Sequence, residues 1–105
     1  MNNVRQKSKF GNVRTNGFAS GREAKRAFEL QLLERAGEIT DLKFQVPYEV
    51  IPPGPGERAA FYVADFTYFK DKALVVEDAK GAKTPVYVLK RKLMRHVYGI
   101  TILES

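Results

Sequence analysis

The sequence predicts an α/β fold, a mixed sheet flanked by helices, with elements in the order helix, strand, strand, strand, helix, strand. Three observations predict it. Apolar residues recur at helical spacing in two separate segments, 21–36 and 84–97. Between them lie three runs of alternating, β-branched or aromatic residues separated by polar or Pro/Gly breaks. A last apolar run, 100–103, follows the second helix and returns the chain to the sheet. A chain of 105 residues forms one domain. Residues 1–19, polar and basic, read as a flexible arm, and 20–105 as the folded unit.

Ser20-Gly21-Arg22-Glu23 has the form of a capping box and opens the first helix. Ala24, Phe28 and Leu32, widened by Leu33 and Ala36, form its expected core face, and Gly37 ends it. Glu23, Ala27 and Leu30 make a second stripe that can face the sheet. Phe44 to Ile51 alternates as a strand, with Pro47 placing it at an edge or a bulge. Pro52-Pro53-Gly54-Pro55-Gly56 is a loop. Ala59 to Phe69 and Ala73 to Lys80 are two further strands, separated by Lys70-Asp71-Lys72. Thr84 caps and Pro85 starts the second helix, whose expected core face is Val86, Leu89, Leu93 and Val97. Gly99 ends that helix before the strand at 100–103. The first three strands should form an antiparallel meander.

Composition excludes several chemistries. There is no cysteine and a single histidine, His96, so thiolate sites and multi-imidazole zinc sites are ruled out. Any metal must be held mainly by oxygen, which favours magnesium or manganese. No apolar run is long enough for a membrane span, and the first residues lack the apolar stretch of a signal peptide, so the expected location is the cytoplasm. The net charge of +6 is unevenly distributed. Residues 1–26 and 80–96 are basic and flank an acidic middle, a footprint for a polyanion such as DNA or RNA. In the second helix Lys90, Arg91, Lys92 and Arg95, with Lys83 just before it, have no intervening acid, and they are the expected phosphate contacts.

Two acids sit where strands seldom place them: Asp65 inside Phe61-Tyr62-Val63-Ala64-Asp65-Phe66, and Asp78 near the end of Val75-Val76-Glu77-Asp78-Ala79-Lys80. If Asp71-Lys72 is a two-residue turn, paired positions sum to 143 and Asp65 faces Asp78. Facing Cβ atoms would then be about 5 Å apart. Two carboxylates that close repel unless one is protonated or a cation lies between them. A divalent ion resolves the conflict, and two acids plus waters suit magnesium. Period two puts Lys80 on the Asp78 side and Glu77 on the other. Two acids and a lysine so arranged suit phosphodiester hydrolysis: metal ligands beside a cation that stabilises charge on the phosphate.

Asp65, twelve residues, then Asp78-Ala79-Lys80 resembles the motif of the PD-(D/E)XK nuclease superfamily, with Ala64 where the name has proline. The αβββαβ order resembles that superfamily's restriction-endonuclease-like core, shared by restriction endonucleases and Holliday junction resolvases. The chain is more closely similar to a family of short phage and prophage proteins within it. The segments carrying this are Ser20–Glu23, Tyr62–Phe66, Val76–Gly81 and Leu89–Met94. The resemblance implies a magnesium- or manganese-dependent endonuclease acting on DNA, including branched or recombination intermediates. Asp65, Asp78 and the Ala79 carbonyl would be metal ligands, and Lys80 the catalytic lysine. Glu23 stands where some members add an acid from the first helix. A small domain with two sites facing two strands implies a homodimer.

Structural alternatives stand beside each assignment. Asp65, Asp78 and Lys80 also fit an ion-pair cluster on an exposed sheet face, and Glu23 a helix cap. Glu77 fits a solvated or ion-paired acid, Gln45 an exposed strand position, and His96 a surface residue. Phe61, Tyr62, Phe66, Tyr68 and Phe69 are mostly core rather than a base-stacking platform. The competing function is a DNA-binding protein without catalysis, built on a degenerate nuclease fold.

Overall fold

In the computed structural model, which describes residues 20–105, the elements follow the expected order. They are α1 (Gly21–Arg35), β1 (Thr40–Ile51), β2 (Ala60–Lys70), β3 (Ala73–Asp78), α2 (Pro85–Tyr98) and β4 (Leu103–Glu104). The arm assigned to 1–19 lies outside the described residues. The four strands form one sheet in the order β1-β2-β3-β4. β1, β2 and β3 are an antiparallel meander, and β4 lies parallel to β3. Among the described residues no helix is long and apolar enough to cross a membrane.

Local chemistry sets the boundaries. Ser20 is extended, and its Oγ accepts the Glu23 amide at 3.1 Å, which satisfies one of the free N–H groups at the start of α1. Thr84 does the same for Tyr87 at 3.1 Å, with Pro85 next in line, and Gly99 closes α2 at φ 71°. Asp71 and Lys72 turn from β2 into β3 with φ of 52° and 67°. That is the two-residue primed turn that matches strand twist. β1 begins at Thr40, earlier than its alternation predicts, because the chain joins β2 as soon as Ile39 is buried. Pro47 lies in an edge strand, where a missing N–H is tolerated. The last strand is only Leu103–Glu104, shorter and later than expected, because Ile100 and Ile102 pack into the core instead of pairing.

The two faces of the sheet carry separate cores. One, on the α2 side, gathers Val50, Tyr62, Ala64, Val76, Tyr87, Met94 and Ile102. The other, on the α1 side, gathers Ala27, Leu30, Ile39, Phe66 and Tyr68. α2 is rotated from its expected face, and α1 turns to the sheet the second stripe read from its sequence, Glu23, Ala27 and Leu30, together with Ala24. In α1 the buried residues are Glu23, Ala24, Ala27 and Leu30, whereas Phe28 and Leu32 are exposed. In α2 they are Tyr87 and Met94, while Val86, Leu89 and Val97 are exposed. Small alanines bring α1 close to the sheet, and Tyr87 has a hydroxyl partner that lets it be buried. Of the five aromatics expected to be core, Tyr62, Phe66 and Tyr68 are buried, and Phe61 and Phe69 are exposed.

One ion pair ties α1 to β3. Glu77 is fully buried, and Arg26 grips it with Nε and with Nη2, the latter at 3.2 Å. Tyr68 Oη donates to the same carboxylate at 2.6 Å. Burial alone would raise the Glu77 carboxyl, but hydrogen bonds from Arg26 and Tyr68 outweigh it and hold it below its ordinary value. Its contribution is therefore complete above the ordinary carboxylate range and is lost as pH falls through the depressed value. Arg26→Ala strands this charge in the interior and is expected to cost about 3 kcal/mol in urea unfolding at neutral pH. The difference from wild type should narrow in acid.

Candidate metal centre

Strand alternation breaks at one level of the sheet. In a regular strand residues 62, 64, 66 and 68 share a face. Here Tyr62 and Ala64 belong to the α2-side core, and Phe66 and Tyr68 to the α1-side core. β1 divides the same way, with Leu42 on the α1 side and Tyr48 and Val50 on the α2 side. The break in β1 falls at Gln45, whose φ is 54°, a left-handed value uncommon for a side chain of this size. Phe44 pairs with Phe66 and Val46 with Ala64, so Gln45 and Asp65 stand opposite each other between two paired steps.

The β2–β3 ladder runs from Lys70↔Ala73 to Phe66↔Glu77 in the register set by the two-residue turn. The next step carries Asp65 and Asp78, just where the ladder stops and β3 ends. The Asp78 carboxyl lies close enough to raise that of Asp65. Asp65 Oδ2 accepts the Ala79 amide at 3.0 Å, and Asp65 Oδ1 receives Gln45 Nε2 at 3.4 Å. The same Gln45 nitrogen donates to Glu23 Oε2 at 2.9 Å. Asp78 is buried, with Tyr62 Oη donating to its Oδ2 at 2.6 Å. Lys80 Nζ lies 3.3 Å from Asp78 Oδ1 and 4.7 Å from the centre of the Tyr87 ring, which holds the ammonium over the site.

The structure thus brings together Asp65, Asp78, Lys80 and, through Gln45, Glu23. The place of Glu23 in the helix cap does not compete with this: its backbone N–H serves Ser20, and its side chain meets Gln45. Glu77 points to the opposite face, as period two requires. Tyr62 and Tyr87 are parts of the site that periodicity places only in the core or on a helix. A buried tyrosine hydroxyl needs a partner, and that need is the signal that points to Asp78 and Glu104.

The donor set suits a small oxygen-seeking cation. Asp78 Oδ1 is buried and accepts no hydrogen bond, since Lys80 approaches it without the geometry of one. A buried oxygen with an ammonium nearby but no hydrogen bond is only partly compensated for its lost hydration, and a further cation would complete the compensation. Among the described residues no three His, Cys, Asp or Glu side chains are grouped to hold a metal. An ion here would complete its shell with a backbone carbonyl and water, as magnesium does.

The basic surface divides. Lys92 and Arg95 are exposed on α2 and Lys90 is partly so. Lys83 and Arg91 share one acid that the local sequence does not reveal: Glu104 Oε1 is 3.6 Å from Lys83 Nζ, and Glu104 Oε2 is 2.8 Å from Arg91 Nη1. Tyr87 Oη also donates to Glu104, at 2.6 Å. His96 is exposed at the end of α2.

Burial pushes the Asp65 carboxyl up to about 7, with the Asp78 hydrogen bond and charge adding to it and the Ala79 amide opposing. Its ordinary value is 3.8, so between the two the folded chain binds a proton that the unfolded chain has lost. Stability should therefore fall as pH rises across that window. Asp65→Asn keeps the shape and removes the titration. Its melting temperature should exceed that of wild type at about pH 8, and the gain should vanish in acid, as thermal unfolding followed by circular dichroism will read.

A model of a family described as protein of unknown function (DUF1064) matches residues 5–103. No curated protein and no solved structure gives a significant match.

Proposed function

The chain belongs to the DUF1064 family, and we propose that it is a metal-dependent endonuclease that hydrolyses phosphodiester bonds of DNA. The observation that carries this reading is the meeting of the Asp65 and Asp78 carboxyls beside an ammonium, Lys80, 3.3 Å from Asp78 Oδ1. The motif, spacing and element order that resemble PD-(D/E)XK nucleases support it. So does the buried Asp78 Oδ1, which accepts no hydrogen bond and has the Lys80 ammonium 3.3 Å away, leaving room for a divalent ion to serve it.

In this reading Asp65, Asp78 and the Ala79 carbonyl hold magnesium or manganese. When bound, that ion supplies polarisation of the phosphate and acidification of a water. Lys80 orients the attacking water and offsets the negative charge that grows on the phosphate oxygens. Water adds to phosphorus, the bond to the leaving sugar oxygen breaks, and that oxygen takes up a proton. Tyr62 fixes the Asp78 carboxylate, and Tyr87 keeps Lys80 above it. Lys90, Lys92 and Arg95 meet backbone phosphates and contribute affinity without base preference. Lys83 and Arg91 join them only in exchange for Glu104. A homodimer would set two sites against two strands, in the cytoplasm where DNA is accessible. Branched DNA is the substrate class that the resemblance favours.

A second reading, a DNA-binding protein without catalysis, draws on the lack of a three-acid metal cluster among the described residues. One assay separates the two: cleavage of junction, flap and linear DNA with magnesium or manganese. Wild type should cut at least one substrate. Lys80→Ala should cut some 10²–10³-fold more slowly, the usual loss on removing a transition-state donor. Asp78→Asn should abolish cutting, and both variants should still bind DNA. A wild-type chain that binds but never cuts establishes the second reading.

The α2 surface is tested through salt. Replacing Lys90, Lys92 and Arg95 by alanine should flatten the plot of log affinity against log salt by about 0.9 for each phosphate no longer neutralised. A slope equal to that of wild type removes α2 from the interface.

A further inference from the structure

We propose that Gln45 is a positioning residue of the metal centre, and that Glu23 acts through it, supporting the Gln45 carboxamide rather than touching the ion. The inference rests on the nuclease reading of the site and adds to it a supporting layer drawn from α1 and β1.

Three observations converge on Gln45. Its backbone is left-handed, at φ 54°, in the middle of a strand. A conformation that costs free energy for a non-glycine residue persists only where its surroundings fix it, and such outliers gather at functional sites. At this level both β1 and β2 exchange faces, so the unusual backbone directs Gln45 towards Asp65 rather than along the regular pleat. Finally, the side chain joins two carboxylates: Nε2 is 2.9 Å from Glu23 Oε2 and 3.4 Å from Asp65 Oδ1. An amide nitrogen carries two hydrogens and can serve both. With a carboxylate on each side, only the nitrogen fits there, so the orientation of the amide is fixed by its neighbours.

The same geometry assigns Glu23 its part. Glu23 is buried, and among the described residues it belongs to no three-acid group placed to hold a metal. Its carboxylate is anchored where the cap starts α1, one turn before Arg26 ties that helix to β3. Glu23 therefore transmits the position of α1 to Gln45, and Gln45 to Asp65. Together with the Ala79 amide on Oδ2, Gln45 leaves Asp65 one rotational setting. This is how an outer partner tunes a metal ligand: by fixing the orientation of a group that would otherwise swing.

The probe is manganese alone, titrated into the purified chain and followed by the electron paramagnetic resonance signal of the free ion. Gln45→Gly accepts the left-handed backbone and removes the amide. Gln45→Asn also tolerates that backbone but is one methylene too short to span both acids. Both should bind manganese at least about tenfold more weakly than wild type, the usual effect of losing an outer partner. Glu23→Ala should weaken binding similarly, and the double variant Glu23→Ala/Gln45→Gly little further, because the two residues act in series. Manganese affinity within about twofold of wild type in Gln45→Gly, or losses that multiply independently in the double variant, overturns the inference while the nuclease reading stands. Weakening in Gln45→Gly with full affinity in Gln45→Asn also overturns it, since the effect would then be one of backbone freedom. A wild-type chain that binds no manganese ends both.

Discussion

Glu77 and Asp78 are neighbours in β3, and the pleat sends them to opposite faces of the sheet. The rest of the molecule depends on how differently the two faces treat a carboxylate. On the α1 side Glu77 receives Arg26 and Tyr68 and becomes a neutralised, fully buried strut. On the α2 side Asp78 receives one tyrosine hydroxyl, has a partly exposed ammonium, Lys80, 3.3 Å from an oxygen that accepts no hydrogen bond, and lies against a second acid. The first is a structural answer to a buried charge. The second leaves the charge partly unanswered, and a buried polar group left in that state is costly unless something else comes to it. The strut makes the open site tolerable, because α1 and β3 cannot slide apart while it holds.

Much of the site was legible in the sequence because one short feature fixed its register. Asp71-Lys72 is a two-residue turn, so the pairing of β2 with β3 follows by counting, and Asp65 meets Asp78 without any knowledge of packing. Period two then separates Glu77 from Asp78. The rotation of α2 was not legible, and in α1 the buried stripe of Glu23, Ala27 and Leu30 could be read only as an alternative to the Phe28 and Leu32 face. In α2 the apolar residues at 86, 89, 93 and 97 and those at 87 and 94 are adjacent stripes, a turn of about 100° apart. The choice between them is made by Glu104, which receives the Tyr87 hydroxyl from another element. In α1 the choice is made by Glu23 and Arg26, two polar residues whose partners lie across the sheet. Periodicity sees only apolar residues and cannot weigh such partners.

Gln45 shows a deeper limit. A pattern of alternating residues assumes that the strand keeps its pleat. In β1 Phe44 and Val46 flank Gln45 as they would in any regular strand, and nothing local announces that the backbone there reverses its sense. The reason lies across the ladder, where Asp65 occupies the facing position and β2 makes the matching exchange. A deviation shared by two strands is a property of their pairing. For the same reason Glu104, far from Lys83 and Arg91 in the chain, escapes a charge count made along segments.

The position of β1 carries one more consequence. Exposed sheet edges invite other strands to add to them, and proteins defend against this by interrupting the edge or shortening it. The β1 edge contains Pro47, which has no N–H to offer, and two residues before it the left-handed turn of backbone at Gln45. The opposite edge, β4, is two residues long. Among the described residues the β1 rim is thus interrupted, so the backbone deviation at Gln45 also guards that edge of the sheet against edge-to-edge growth into aggregates.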